Sequence, residues 1–199
     1  MATIASLLRS RYVVWALLAL PSIPMIAGLA AGETTPHRLL HGSGETAARL
    51  MILAMMITPL RMLFPKPRWL GWLVRQRRAL GVAAFFYAAF HTLLYVVDVG
   101  TLQRIAADFW KLGIWTGWAA FFIFIPLAVT SNDAAVRLMK RSWKALHRWV
   151  YAAALLTVVH WIFVENNLGP ALVHFVPLAL LESYRIVRTM RPRATAGAG

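Results

Sequence analysis

Residues 77–98 read RRALGVAAFFYAAFHTLLYVVD, an apolar stretch that opens on two arginines and carries His91 within it. A second stretch, 143–164, reads WKALHRWVYAAALLTVVHWIFV and carries His147 near its start and His160 near its end. An ionisable side chain inside a membrane costs about 2 to 4 kcal/mol on insertion scales unless it has a partner, so its presence indicates a function. Neutral imidazole is a good iron ligand, and two imidazoles from facing helices can hold a haem. The two stretches therefore predict a helical membrane protein with a haem site.

Composition supports a membrane protein. The chain has 199 residues, of which 60% are hydrophobic and 14% charged, with a mean hydropathy of +0.62. A soluble domain of this length cannot hide so much apolar surface in a core. The chain has no cysteine, which excludes disulfides, iron–sulfur clusters, thiolate ligation of haem and covalent haem attachment.

The formal charge of +14 would suggest nucleic acid as the partner of a soluble protein. Here the basic residues fall in blocks between apolar segments, a pattern typical of membrane topology and of contact with anionic lipid. We therefore expect a membrane lipid surface, and no nucleic acid, as the partner of these basic blocks.

Six apolar segments predict an all-α membrane protein built as a bundle of six transmembrane helices. Their apolar parts are Tyr12 to Ala31, Ala47 to Leu60, Ala79 to Val97, Leu112 to Val129, Trp149 to Val164 and Leu168 to Leu181. Several are shorter than the ~20 residues that cross about 30 Å of hydrocarbon, so flanking polar residues must complete the spans. The predicted spans lie near 12–31, 47–64, 79–97, 110–129, 147–164 and 168–187.

The positive-inside rule predicts that both termini are cytoplasmic. This orientation places 17 of the 21 basic residues inside and leaves Arg38, Arg49, Arg104 and Lys111 outside. The 17 are Arg9, Arg11, Arg61, Lys66, Arg68, Arg75, Arg77, Arg78, Arg137, Lys140, Arg141, Lys144, Arg148, Arg185, Arg188, Arg191 and Arg193. Arg9 and Arg11 before an apolar run also resemble a signal peptide, but the run is long, and we expect a retained first span.

His91 and His160 are predicted to lie at the same depth in the membrane. His91 follows Arg78 by 13 residues and His160 follows Arg148 by 12, which places both imidazoles roughly 18 to 20 Å from the inner basic residues at 1.5 Å per residue. Two such rings can bind one iron from opposite sides and close both axial positions, which suits electron transfer. The alternative is that each histidine is hydrogen-bonded to a neighbouring helix.

His147 is predicted to be different, because the 13 positions to His160 leave the two side chains about 140° apart around an ideal helix. A second haem bound like the first is therefore not favoured. Its partner position on the third span, 14 residues before His91, is Arg77. Arg77 and Arg78 are suited to a haem propionate, a flavin phosphate or a quinone head group, or else they anchor the protein to anionic lipid.

Other candidate residues have simpler interpretations. His174 near the sixth span, and His37 and His41 in the loop predicted after the first, are expected to be structural or solvated. Gly113 and Gly117 form a GxxxG motif on the fourth span, which allows close approach of a helix or of a flat macrocycle.

Five stretches together resemble a known family. They are GETAARL at 44–50, ITPLRML at 57–63, RRALGVAAFFYAAFHTLLYVVD at 77–98, PLAVTSND at 126–133 and WKALHRWVYAAALLTVVHWIFV at 143–164. They are similar to the MsrQ family, the haem-binding membrane subunits of bacterial periplasmic methionine-sulfoxide reductase systems within the ferric-reductase-like transmembrane group. The whole chain, 1–199, is then expected to be a single domain of this type.

The resemblance implies an inner-membrane, multi-pass carrier of haem b, also associated with FMN, with His91, His147 and His160 at the family's ligand positions. It implies an electron-transfer subunit, not the subunit that reduces the substrate. Electrons would pass from the quinone pool or a cytoplasmic flavin reductase to a periplasmic molybdopterin enzyme that repairs oxidised methionines. A quinone would then be a further ligand.

Two alternatives stay open from the sequence. The chain could serve another ferric-reductase-like system as its haem subunit; because it has no GxGxxG motif, any NAD(P)H chemistry would belong to another polypeptide. Or it could be a transporter or assembly factor whose histidines relay protons or metal ions.

Overall fold

The structure is a computed structural model that describes residues 10–190, and within that range it contains ten helices and no strand. The helices are α1 Arg11–Ala19, α2 Ser22–Ala30, α3 Pro36–Leu63, α4 Arg68–Val99, α5 Leu102–Asp108, α6 Leu112–Val129, α7 Asp133–Met139, α8 Arg141–His147, α9 Val150–Glu165 and α10 Leu168–Met190.

The all-helical membrane fold predicted from the sequence is confirmed. Five segments within residues 10–190 are long and apolar enough to cross a membrane, namely α3, α4, α6, the α8–α9 segment Arg141–Glu165, and α10. The pair α1 and α2 makes a sixth if the two helices are counted as one span. The protein is therefore a multi-pass membrane protein.

The first span is broken, which the hydropathy pattern did not predict. Helices α1 and α2 are bent by 50° at a short break. Pro21 stands at this break, directly before α2. Proline lacks the backbone N–H of a helix and clashes with the preceding turn, so it accounts for the bend.

Helices α3 and α4 are much longer than their apolar parts. Helix α3 has 28 residues and α4 has 32, which corresponds to about 42 and 48 Å at 1.5 Å per residue. The spans predicted near 47–64 and 79–97 fall largely within these helices, which begin well before them. The extra turns carry polar and charged residues, which lower hydropathy without breaking a helix.

Contacts between helix ends show that the long helices alternate in direction. At one end of the bundle, the start of α3 reaches the end of α4 through His37 and Asp98, 3.0 Å apart. At the other end, Arg188 near the end of α10 donates to the Met62 carbonyl near the end of α3, at 3.3 Å. The start of α3 also reaches the end of α9 through His41 and Glu165, 2.8 Å apart. Helices α4 and α9 therefore run in the same direction, as the sequence predicts.

Small residues line the contacts between helices, and large apolar residues face outward. Ala48 on α3, Ala84 on α4 and Ala153 on α9 are at most 3% exposed, which allows close helix packing. Phe86 is 61% exposed and Leu155 66% exposed. This arrangement is typical of a bundle whose outer surface is covered by lipid.

The tightest packing pairs α3 with α4 and α6 with α9, while α10 packs on α3. Helices α4 and α9 barely touch each other over their described lengths. A cavity opens between these two helix pairs, and it is the site at which the histidines meet.

Candidate functional site

The imidazole rings of His91 and His160 face each other across this cavity. His91 lies on α4 and His160 on α9, and their ring centroids are 6.0 Å apart with an angle of 82° between the ring planes. The two histidines therefore lie at the same height in the bundle, as their spacing from the inner arginines predicts.

His91 is held by the start of helix α3. Its Nδ1–H donates to the Leu40 carbonyl at 3.0 Å, and the Ser43 hydroxyl oxygen lies 3.3 Å from the same nitrogen. A Cβ placed on Gly44 would lie 3.0 Å from two atoms of the His91 ring. Gly44 therefore makes room for this imidazole.

His160 is held in the same way by helix α6. Its Nδ1–H donates to the Gly113 carbonyl at 2.6 Å. A Cβ on Gly117 would lie only 2.6 Å from His160 Nδ1, and a Cβ on Gly113 would meet Phe163 and Val164 of α9 at 3.1 to 3.3 Å. The GxxxG motif thus serves helix packing at its first glycine and seats the imidazole at its second.

These two hydrogen bonds set the chemistry of both rings. Because Nδ1 carries the proton and donates it to a carbonyl, the lone pair of each Nε2 is left for a metal. Backbone carbonyls that fix ring orientation are a common second layer of support around metal-bound histidines. The protein therefore presents two imidazoles, each orientated through Nδ1 by the backbone of a neighbouring helix.

The cavity around the rings is mostly apolar and aromatic. Its lining includes Met51, Ala88, Trp118, Phe121, Phe124 and Trp161. Flat, apolar walls and two facing imidazoles suit a planar macrocycle that carries a metal. The donor set, two imidazole nitrogens and no thiolate, fits iron in a haem.

The outer rim of the cavity is polar. His41, Glu45 and Glu165 line it, with His41 Nδ1 2.8 Å from a Glu165 oxygen and Arg49 2.6 Å from Glu45. The prediction that His37 and His41 lie in a loop is wrong, because both belong to the first turns of α3. These turns are helical despite their polar sequence because Thr35 caps the helix and Pro36 starts it.

His174 has the structural role predicted for it. Its Nδ1–H donates to the Pro170 carbonyl at 2.7 Å, its Nε2 accepts from Arg49 at 3.0 Å, and its ring stacks on Trp161 with centroids 5.2 Å apart. One ring nitrogen is thus bonded within α10, and the other links α10 to α3.

His147, Arg77 and Arg78 lie apart from this cavity, and none of them lines it. His147 Nε2 lies 3.0 Å from the Thr130 hydroxyl oxygen, and its ring stacks on Trp143 with centroids 3.9 Å apart. The structure therefore brings together two of the five predicted site residues and leaves the other three at the end of the bundle where α6 stops and α4 starts.

The two arginines have partners at that end. Arg77 donates to the Thr58 hydroxyl at 2.8 Å, and Arg78 pairs with Asp133 at 2.7 Å. The Arg78 guanidinium beside Asp133 holds the pKa of that carboxyl below its usual range, first through the hydrogen bond and then through its charge. Thr58 and Thr130 stand where α3 and α6 approach their ends.

Sequence reasoning missed Gly44, Leu40 and Ser43 as the support of His91. The available signal was a glycine within the GSGE segment just before the second apolar run. Glycine is about 1 kcal/mol less favourable than alanine inside a helix. A glycine within a predicted helix therefore suggests a position where another group packs closely.

The fold and the site define a multi-pass helical membrane protein with a cavity between two supported, facing histidines. Comparison with known proteins agrees. The model of the ferric reductase like transmembrane component matches residues 43–158. No solved structure matches the chain.

Three relatives carry the name protein-methionine-sulfoxide reductase heme-binding subunit MsrQ. The one from Azospira oryzae is 35% identical over 181 residues, covering 86% of this chain and 76% of its own. That from Rhizobium meliloti is 36% identical over 185 residues, covering 88% and 83%. That from Xanthomonas campestris pv. campestris strain 8004 is 34% identical over 170 residues, covering 83% and 76%. The chain belongs to the MsrQ family of the ferric-reductase-like transmembrane group.

Proposed function

We propose that the protein is the haem b electron-transfer subunit of a bacterial protein-methionine-sulfoxide reductase, and that His91 and His160 are the two axial ligands of the haem iron. The observation that carries this proposal is the 6.0 Å separation of the two supported rings. The names of the relatives, each a heme-binding subunit of such a reductase, support it.

The separation suits one iron. With metal–nitrogen bonds of about 2 Å, and a ring centroid about 1 Å beyond each nitrogen, two imidazoles on one metal have centroids about 6 Å apart. The observed 6.0 Å is close to this separation. His91 and His160 would hold the iron, while the apolar walls would enclose the macrocycle.

When bound, haem b supplies a reversible one-electron couple. With both His91 and His160 holding the iron, the chain's residues would bind and orient an electron carrier, and reduction of the substrate would belong to the partner. The Leu40 and Gly113 carbonyls keep both rings in the tautomer that binds metal. The protein is then an electron-transfer subunit whose partner reduces the methionine sulfoxide.

The partner would be a periplasmic molybdopterin reductase subunit, with this chain in the cytoplasmic (inner) membrane. Electrons would enter from the quinone pool or from a cytoplasmic flavin reductase and leave toward the periplasm. This direction is supported by the depth of the site, since the histidine pair lies near the polar rim of His41 and Glu165.

His147, Arg77 and Arg78 would form an inner station for the incoming electron. This proposal rests on the cluster of a ring nitrogen, two guanidinium groups and two threonine hydroxyls at one end of the bundle. Such donors suit a flavin phosphate, as in FMN, a quinone head group or the propionate of a second haem.

Detergent-purified protein, expressed with ample haem, tests the function directly. A pyridine haemochrome assay should give haem b, with a low-spin spectrum, and acid extraction followed by chromatography would reveal FMN. A tagged chain should retain a periplasmic molybdopterin protein during purification. Colourless protein would favour a transporter or assembly factor, and haem-loaded protein with a different redox partner would favour another ferric-reductase-like system.

A further inference from the structure

One buried hydroxyl, on a residue of the cavity wall, lacks a partner. Among buried side-chain nitrogen and oxygen atoms of residues 10–190, the phenolic oxygen of Tyr95 alone makes no hydrogen bond. Tyr95 lies one turn after His91 on α4 and lines the same cavity. Its ring is held edge-on to Trp118, with centroids 6.4 Å apart. A buried polar atom without a hydrogen-bond partner is unusual in a folded protein. A bound ligand that carries a hydrogen-bond acceptor would explain it.

The other hydroxyl groups of the cavity wall are satisfied by their own helices. Thr92 donates to the Ala88 carbonyl at 2.9 Å, and Thr157 donates to the Ala153 carbonyl at 2.8 Å. Tyr95 therefore contributes the hydroxyl of this wall that remains available to a bound molecule.

The carboxylates of the cavity wall do not serve Tyr95. Glu45 pairs with Arg49 at 2.6 Å, and Glu165 pairs with His41 at 2.8 Å. Both lie on the side of the cavity formed by α3 and α9, whereas Tyr95 contacts Trp118 of α6. Asp108 and Lys111 also interact electrostatically with Tyr95, but they pair with each other at 2.6 Å, and neither is hydrogen-bonded to the Tyr95 hydroxyl. A ligand that carries an acceptor would provide the missing partner.

We propose that the Tyr95 hydroxyl donates a hydrogen bond to a carboxylate of the haem held between His91 and His160. The proposal rests on the proposed function, since it assumes this ligand. The periphery of haem b is hydrocarbon apart from its two propionates, so these are the strong acceptors that the ligand brings to the cavity edge. Tyr95 lies nearer the outer end of α4 than His91, which places this carboxylate on the outer side of the ring.

The hydrogen bond would tune the iron. An ionised carboxylate close to the iron favours the ferric state, because negative charge stabilises the additional positive charge. A hydroxyl that donates to the carboxylate withdraws part of that charge. Tyr95 would therefore raise the midpoint potential of the haem, and its removal would lower it.

The test compares Tyr95→Phe with Tyr87→Phe in the full-length, haem-loaded protein. Tyr87 lies on the same helix, but its hydroxyl donates to the Leu18 carbonyl at 3.0 Å and it does not line the cavity. In Tyr95→Phe we expect native haem content and a low-spin spectrum. The ferrous-to-ferric ratio at the native midpoint potential should fall about threefold, which is about 30 mV for one electron. Tyr87→Phe should keep the native potential.

A second measurement identifies the acceptor. In protein reconstituted with the dimethyl ester of haem b, whose carboxylates are neutral esters, the difference in potential between native and Tyr95→Phe proteins should shrink. An undiminished difference would show that Tyr95 acts on another group and would overturn the proposal. So would a native potential in Tyr95→Phe protein that carries native haem.

The two proposals fail in different ways. Native protein that binds no haem would contradict the proposed function. Haem-loaded native protein whose Tyr95→Phe variant keeps its potential would contradict only the role of Tyr95.

Discussion

Gly117 packs directly against the His160 imidazole, and any side chain at position 117 would force the ring or the helix to move. A Cβ at Gly117 would lie 2.6 Å from His160 Nδ1, and the same nitrogen donates to the Gly113 carbonyl one turn earlier on α6 at 2.6 Å. Gly44 stands in the same relation to His91, with a Cβ distance of 3.0 Å. Each histidine is thus seated on a glycine of the helix against which its own helix packs.

This relationship predicts that Gly117→Ala weakens haem binding. Overpacking a tight contact costs about 1 to 3 kcal/mol, which corresponds to about 5- to 150-fold weaker retention of the ligand. Haem content per protein after purification, by pyridine haemochrome, measures the effect. Gly44→Ala should show a smaller loss, because its contact is longer.

Gly81→Ala is the matched control, since Gly81 lies on α4 and a Cβ there meets nothing within 4 Å. It should keep native haem content and gain slightly in helix stability. Equal haem content in the Gly117→Ala and Gly81→Ala proteins would refute the seating role of Gly117.

His147→Ala should separate electron entry from haem binding between His91 and His160. His147 lies outside the cavity, stacked on Trp143 and bonded to Thr130. We expect the low-spin Soret band to keep most of its intensity, while reduction by a quinol or a flavin reductase slows several-fold. Stopped-flow absorbance at the Soret band measures both.

Thr130→Val removes the hydroxyl partner of His147 but leaves the His147 imidazole in place. This variant should therefore show part of the slower haem reduction expected of His147→Ala. Native reduction rates in both variants would argue against an inner station at this position.

The topology can be tested because the chain has no cysteine. Leu102 on α5 is 82% exposed and Leu138 on α7 is 84% exposed, and the two helices are predicted to lie on opposite sides of the membrane. A membrane-impermeant maleimide should label Leu102→Cys in intact cells, and Leu138→Cys only after the membrane is permeabilised. The reverse pattern would place both termini outside.

The sequence allowed the helical class, the multi-pass topology and the shared depth of His91 and His160 to be predicted, because each depends on local periodicity and hydropathy. It did not predict the break at Pro21, since proline is tolerated in many membrane helices. Nor did it predict the early starts of α3 and α4, where charged turns continue a helix beyond the hydrocarbon.

The groups that hold the two imidazoles in place were the hardest part of the site to predict from the sequence. Leu40 and Gly113 act through backbone carbonyls, which carry no signature in the sequence, and Gly44 acts through the absence of a side chain. The unpaired hydroxyl of Tyr95 likewise becomes apparent only when α4 and α6 are placed side by side. These features depend on which helices pack together, and hydropathy alone does not specify the pairs.

The central claim is that His91 and His160 together bind one iron. The most direct measurement is the absorption and electron paramagnetic resonance spectrum of purified His91→Ala and His160→Ala proteins, with His37→Ala as control. The His37 side chain is 78% exposed and lies outside the cavity. Loss of the low-spin haem signal in both cavity variants, with a native signal in the control, is the predicted result; a native low-spin spectrum in either cavity variant would contradict the account.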